Sequence, residues 1–390
     1  MSNKKVVRYN LDNIDKIGAR FNLIYGERSN GKSYQVKHKK AVEKYLKTGR
    51  RFILMRRWKE EITSEKIEQY FQDVDVEKLT NGKYNCITLY RKLLYLSIYD
   101  SETGKTKRYE KIGYVVALST EQNYAGASYL DVDDIIFEEF MSRSVYIANE
   151  SNKLMNFYAT VDRKRLTTRL WLVGNSISRV CPYINDWGLH NLISSQKQGT
   201  IKTVTIPVEN GDDIVIAVEY CKSTGSTSGT IGTNANMINT GAWETKPQPH
   251  LPKSYTNYKV LFRFGFQYQG FKFLCEYIVD KEINKYPCWY IYPYYKDFSD
   301  KIIVFSDEIR VSPYWQRDIY NISIRNEKLK KLFMTFKENK IFYCSDLCGT
   351  DFNQVIDFQI RRWLNDWIFK RTIGRYRIKY KKWFRNSTKE

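Results

Sequence analysis

The sequence predicts an α/β protein in two parts: a large amino-terminal unit on a mainly parallel sheet, and a smaller α+β unit at the carboxyl end. Three observations carry this expectation. Apolar strand-like runs alternate with helical patterns through the first half, the signature of a parallel sheet covered by helices. A glycine-bearing turn, GERSNGKS at residues 26–33, joins the first such run to the first helical pattern. At about residue 257 this alternation gives way to closely spaced aromatic strands. A chain of 390 residues exceeds one ordinary core, which fits two domains.

Residues 21–25 (FNLIY) are the first strand, and 33–46 read as a helix stopped at Thr48-Gly49. Residues 51–58 (RFILMRRW) are the next strand, and 60–71 are helical. Residues 84–99 and 108–118 alternate as strands around the turn-like DSETGK, and are expected to form a β-hairpin inserted into the core. The core resumes with Asp134-Ile135-Ile136-Phe137, a helix around 150–160 and a strand at 169–174. Residues 203–220 hold a second hairpin candidate, because Asn210-Gly211 separates two β-branched runs and Asn-Gly favours a two-residue hairpin turn. Residues 221–256, rich in Gly, Ser, Thr, Asn and finally Pro, read as a linker or mobile loop. Aromatic strands at 262–266, 271–278, 302–305 and 341–344, then an amphipathic helix at 353–369, build the second domain. The expected domains are therefore 1–220 and 257–390, joined by a linker at 221–256, with no internal repeat.

Charge narrows the partners. Lys and Arg number 64 against 43 Asp and Glu, a net charge of +21, which favours a polyanion and nucleic acid first. From residue 257 onward 26 basic residues face 15 acidic ones. Residues 370–385 (KRTIGRYRIKYKKWFR) hold eight Lys or Arg and no acid, with Tyr376, Tyr380, Trp383 and Phe384 interleaved. That pattern suits a nucleic-acid backbone, through charge and stacking. No apolar run approaches the ~20 residues a bilayer span needs, and residues 1–16 lack the apolar core of a signal peptide. The seven cysteines are scattered, as in a reducing compartment. Cys344 and Cys348 have no second ligand pair, so zinc is not expected. His38, His190 and His250 are isolated, which argues against histidine-centred catalysis.

GERSNGKS satisfies G-x-x-x-x-G-K-[ST] at Gly26, Gly31, Lys32 and Ser33. Glycines let the backbone curl so that several N–H groups face one anion, and the following helix adds its positive end. Lys32 then reaches the β- and γ-phosphates, Ser33 holds a metal ion, Ser29 and Asn30 complete the cradle, and Arg28 adds a second cation. ATP and Mg2+ are the expected cofactors. The stretch Ile135-Ile136-Phe137-Glu138-Glu139-Phe140 supplies two carboxylates after a buried strand. Glu138 takes the metal side, where aspartate is commoner, and Glu139 is the base for the attacking water. Asp133 and Asp134 come too early in the strand. At the end of the next strand, Asn175 offers an amide that can sense the γ-phosphate. Between these strands DRKR, residues 162–165, offers Arg163 or Arg165 to a neighbouring subunit's nucleotide as a trans finger.

These residues, together with a strand running into Arg56-Arg57, the segment STEQNYAGASYLDVDDIIFEEF and WLVGNSIS, resemble the ATPase half of phage large terminases. More narrowly, the chain is similar to the DNA-encapsidation ATPases of small podoviruses with protein-capped genomes. The resemblance spans about residues 18–200. It implies an ASCE-type P-loop ATPase domain followed by a basic, vestigial RNase H-like domain. It further implies a homo-oligomeric ring, commonly a pentamer, docked on the capsid's portal or connector in the host cytoplasm. Such a ring pumps double-stranded DNA inward, sometimes with a structural packaging RNA between. Residue by residue it assigns Lys32 and Ser33 to phosphate and magnesium, Arg28 to an extra basic position, Glu138 and Glu139 to the acidic pair, and Asn175 to coupling. Glu138 departs from the usual aspartate, which bears on hydrolysis rather than binding. A nuclease of the RNase H type needs carboxylates converging on two metals. Glu276, Asp280, Glu282, Asp307 and Glu308 form no such recognisable cluster, so a nuclease-like fold without nuclease activity is expected. Two alternatives stand beside this reading: a helicase-like NTPase, and a nucleic-acid-binding scaffold that binds nucleotide only to assemble. Lys105, Lys107 and Arg108 on the hairpin suit either a DNA pore or an ordinary solvated edge.

Overall fold

The computed structural model describes residues 8–124, 126–143, 146–208, 211–225, 229–232, 234–268, 270–284, 287–299, 302–306, 315–316 and 341–357. Asn210, Asp307, Glu308, the basic strip at 370–385 and residues 358–369 of the amphipathic helix lie outside them. The chain forms two compact units, Met1–Glu244 and Thr245–Glu390.

Among the described residues unit 1 is built on nine strands: β1 (Phe21–Gly26), β2 (Arg51–Arg56), β3 (Cys86–Tyr90), β4 (Leu93–Asp100), β5 (Lys105–Ala117), β6 (Val132–Glu138), β7 (Arg169–Asn175), β8 (Thr200–Ile206) and β9 (Ile214–Tyr220). Their order is β3-β4-β5-β2-β6-β7-β1-β9-β8. The strands from β5 through β9 run parallel, while β3 and β4 at one edge and β8 at the other are antiparallel. Every residue of β1 is buried. Its alternate side chains serve two cores: Leu23 and Tyr25 join Phe137 and Leu172, whereas Ile24 joins Val36, Leu54 and Trp171. Burial on both faces explains why this strand reads as a continuous apolar run.

Both expected hairpins are present in altered form: a turn at Arg91-Lys92 splits the run 84–99 into two strands, and residues 207–213, rather than a two-residue Asn-Gly turn, join β8 to β9. β4 and β5 flank DSETGK as predicted, but β5 continues past the hairpin and its second half pairs in parallel with β2. The excursion is thus a three-stranded extension of the core sheet. Likewise β8 and β9 pair antiparallel, yet β9 also lies parallel to β1 and abuts the phosphate loop. The stretch read as a linker is divided by the unit boundary. Its first part packs on unit 1, where Trp243 lies 5.1 Å from Tyr25 between ring centres and the Ser176 hydroxyl donates to the Gly241 carbonyl at 2.5 Å. Small, polar composition here reflects close backbone packing as well as connection: a Cβ on Gly241 would come within 2.5 Å of the Glu27 nitrogen.

Among the described residues unit 2 has six strands, β10 (Tyr258–Tyr268), β11 (Phe271–Asp280), β12 (Cys288–Pro293), β13 (Ile303–Ser306), β14 (Trp315–Gln316) and β15 (Ile341–Tyr343), in the order β14-β13-β10-β11-β12-β15. Three antiparallel strands, β10 to β12, are continued past β10 by the parallel β13 and β14. That is the RNase H-like order, with β15 added beside β12. Helical residues 346–357 begin earlier than the expected helix, and Phe352 packs on Phe266 and Phe273.

Candidate active site

Three parallel strands end side by side and place Gly26, Asn175 and Glu138 at neighbouring strand ends. β1 ends at Gly26, which pairs with Asn175 at the end of β7, and β6 ends at Glu138. Gly26 has φ 151°, and a Cβ there would meet the Cys221 Cβ at 3.0 Å. Gly31, at φ 97°, turns the loop into the helix that starts at Lys32. Left-handed backbone of this kind favours glycine. Ser29 is also left-handed, at φ 62°. The helix runs Lys32–Val36, then a π-helical stretch Lys37–Glu43, then Lys44–Thr48.

The Lys32 ammonium is buried and donates to the Glu27 carbonyl and to Asn175 Oδ1, each at 2.7 Å. Burial lowers its pKa from the usual lysine value. Asn30 Oδ1 accepts from the Lys32 backbone N–H at 3.1 Å, which orders the loop from within. Arg28 and Ser29 are exposed on its outer side. Glu27 points inward, where its carboxylate accepts from Thr224 N–H at 2.6 Å and Thr224 Oγ1 at 2.7 Å. The carboxylate of Glu27 is thereby engaged by the segment that follows β9.

Ser33 Oγ donates to Glu138 Oε2 at 2.9 Å, although 105 residues separate them. Glu138 is buried, which pushes its carboxyl above the usual range, while hydrogen bonds from Tyr70 and Ser33 pull it back down. Hydroxyl and carboxylate oxygens at this separation fit a hard divalent cation such as Mg2+. Glu139 stands apart: its side chain is 68% exposed, its φ is 58°, and Arg56 donates to its Oε2 at 3.2 Å. The two acids, adjacent in sequence, thus occupy a buried and a solvent-facing position.

Several contributors went unread in the sequence. Tyr70, from the helix Ser64–Phe71, donates to Glu138 Oε1 at 2.6 Å. Arg57 is buried and donates to the carbonyls of Glu139 at 3.0 Å and Phe140 at 2.7 Å while pairing with buried Glu150 at 3.0 Å. It therefore holds the backbone on which Glu139 turns. A cleft of about 460 Å³ opens beside the loop, lined among others by Ser33, Lys37, Arg56, Tyr70, Glu138 and Glu139. The DRKR arginines lie elsewhere. Arg165 donates to the carbonyls of Asp162, Leu130, Tyr129, Val132 and Val161, so its guanidinium is tied into its own fold. Arg163 is exposed and held by the Ala127 carbonyl at 2.9 Å. Asp133 and Asp134 sit toward the opposite end of β6, with Asp133 on Arg50 at 2.7 Å and Asp134 on the Trp171 indole at 2.8 Å.

A family model described as Podovirus DNA encapsidation protein (Gp16) matches residues 3–215. The chain is 32% identical over 176 residues to a DNA packaging protein of Bacillus phage B103, covering 43% of this chain and 48% of that protein. It is also 32% identical over 170 residues to the DNA packaging protein of Bacillus phage phi29, covering 42% and 44%. The chain thus spans about half the length of the curated relatives it matches. A chain of the bacteriophage Phi-29 viral genome packaging motor assembly has a similar fold, with TM-score 0.56 and 21% identity over 91% of this chain and 99% of that chain.

Proposed function

The chain belongs to the podovirus DNA encapsidation protein (Gp16) family, and on that premise we propose that it is an ATP-driven translocase of double-stranded DNA, working in a viral genome-packaging motor. The observation that carries the ATPase part is the 2.9 Å contact of Ser33 with Glu138, which joins the phosphate loop to the acidic pair.

ATP binds with its phosphates over residues 26–33, and Arg28 lies on the loop's exposed side where it adds a cation. Ser33 and Glu138 hold Mg2+, which supplies charge neutralisation on the phosphates. Lys32 exchanges its present acceptors for phosphate oxygens. When it does, Asn175 loses the ammonium it accepts from, and the state of the γ-phosphate reaches β7 through that broken contact. Glu139, exposed and held by Arg56, orients the attacking water and takes its proton. Arg163 is the better candidate for a trans finger, because Arg165 is fully engaged within its own chain.

The same reading makes the protein a ring, commonly of five copies, on the portal of a procapsid in the host cytoplasm, with a structural RNA in some such motors. Among the described residues no helix is long and apolar enough to cross a membrane. The carboxyl-terminal unit is proposed to lack nuclease activity. Its central strand β10 carries no acid, and Glu276 is engaged by Tyr255 and lies 3.3 Å from Arg263 rather than open to a metal.

Steady-state ATP hydrolysis with and without blunt duplex DNA, beside Glu139→Gln, tests the proposal. Duplex-stimulated hydrolysis that disappears in the variant is expected. Equal activity in both proteins rejects Glu139 as the base. Stronger stimulation by single strands favours a helicase, and ATP-dependent assembly without hydrolysis favours a scaffold.

A further inference from the structure

The pairing of Tyr90 with Leu93 leaves Arg91 and Lys92 as a two-residue turn between β3 and β4. Their φ values are 48° and 64°. Such a primed turn normally uses Asn-Gly, because a side chain with a Cβ is strained in this conformation and Asn or Gly is strained least. Two long basic residues relieve none of that strain. Backbone strain that persists at such a point is characteristic of functional positions.

The surroundings show what these residues are held for. The Arg91 guanidinium lies 5.2 Å from the centre of the Tyr90 ring, and that of Arg108 lies 4.7 Å from it. The Lys92 ammonium is 3.1 Å from the Tyr124 hydroxyl and 5.3 Å from its ring. Among the described residues no ion pair includes Arg91, Lys92 or Arg108, and Glu110, two residues from Arg108, pairs with Lys83 at 2.7 Å. All three are exposed, as is Tyr90, while the flanking Leu89 and Leu94 are buried in the core on the opposite face. Cation–π contacts thus fix three unneutralised cations on one surface.

We propose that this turn, with Arg108 beside it, is a contact surface for the phosphate backbone of duplex DNA. The proposal rests on the translocase reading and names where such a motor touches its substrate. Fixed cations without carboxylate partners suit phosphates, whose neutralisation releases counterions. The Tyr90 ring already carries two guanidinium groups, which leaves it poorly placed to stack on an unpaired base and favours a duplex over a single strand. The turn is also well located. Val115 donates its N–H to the Lys92 carbonyl at 2.9 Å, so the turn lies at the carboxyl end of the parallel strands, the end that also carries Gly26 and Glu138. In the strand order β4 is three places from β6, about 14 Å at ordinary strand spacing. The surface is near the chemistry without being part of it.

The double variant Arg91→Asn/Lys92→Gly tests this in the full chain. It removes both charges and also supplies the residues the turn prefers. Its Tm is expected to rise by about 3 °C as the strain is relieved. Basal ATP hydrolysis should stay at the wild-type level. Affinity for blunt duplex DNA should fall about tenfold, and the slope of log K against log salt should become shallower by about 1.8, for two lost phosphate contacts. Arg108→Gln should lower the slope by about half as much. Wild-type affinity and slope in the double variant would overturn the proposal, and so would a lowered Tm. Wild-type protein that binds folded RNA but not duplex would overturn it as well. Failure of the wild type to bind any nucleic acid would reject the translocase reading too. Duplex binding by wild type and double variant alike would reject only this surface.

Discussion

The Tyr70 hydroxyl donates to Glu138 Oε1 at 2.6 Å, while Ser33 holds the other oxygen of the same carboxylate at 2.9 Å. The longer acid that departs from the usual aspartate is therefore supported at both oxygens. Tyr70 is itself placed by Lys37, whose ammonium lies 4.4 Å from its ring centre and also bonds its carbonyl. In Tyr70→Phe the carboxylate loses the bond that orients it. Since a hydrogen bond to a charged group contributes about 1.5–3 kcal/mol, roughly a tenfold or greater loss of kcat is expected, with a raised Mg2+ requirement for binding a fluorescent ATP analogue. A shorter carboxylate is drawn away from the hydroxyl, so in a Glu138→Asp background the Tyr70 substitution should cost little. Equal losses in both backgrounds would show that Tyr70 acts elsewhere.

Arg57 separates two kinds of damage. Arg57→Met leaves Glu150 buried beside a neutral side chain, and an uncompensated buried charge costs about 3–5 kcal/mol of stability. Arg57→Lys keeps the charge but not the planar fork that reaches the carbonyls of Glu139 and Phe140. We expect the lysine variant to retain most of its thermal midpoint and to lose ATP hydrolysis. A lysine variant that hydrolyses ATP normally would mean that the carbonyl anchor does not position Glu139.

The two DRKR arginines should respond differently. Arg165→Ala removes bonds to five carbonyls, and orphaned buried acceptors cost about 1–3 kcal/mol each at most. Its expected signature is a lowered Tm. Arg163→Ala should leave Tm nearly unchanged yet abolish hydrolysis in assembled protein. Adding a subunit that is dead at Glu139 but retains Arg163 should restore part of the activity if the arginine acts in trans. No rescue in such mixtures would count against the finger.

Burial pushes the Glu219 carboxyl up to about 7, against a downward pull from the Tyr9 hydroxyl, which donates to it at 2.8 Å. Above its unfolded value near 4.5 the unfolded chain has released a proton that the folded chain retains, so stability falls as pH rises from there to about 7. The shift corresponds to about 3 kcal/mol. Glu219→Gln keeps an acceptor for Tyr9 and cannot ionise. Denaturant midpoints should therefore favour the variant at pH 8 far more than at pH 5, and parallel pH profiles for the two proteins would contradict the assignment.

What the sequence determined is local. A phosphate loop is specified by contiguous residues, because its glycines set the backbone and its neighbours set the strand before and the helix after. IIFEEF and LVGN are legible for the same reason: each is a buried strand running directly into its polar tip. The parallel sheet could be inferred from alternation, but not the order of its strands. That β9 would lie beside β1 and bring Thr224 to Glu27, or that β5 would finish a hairpin and then join β2, depends on pairings between distant segments with no local signature. Tyr70 and Arg57 belong to the same class. A tyrosine in an amphipathic helix and an arginine after a strand are unremarkable until folding brings them to Glu138, Glu139 and Glu150. The residues of the loop at 26–33 were readable because their backbone must have one shape. Those that hold the acids in place were decided by tertiary structure, because a hydrogen bond 68 or 82 residues long in sequence exists only once the sheet order is set.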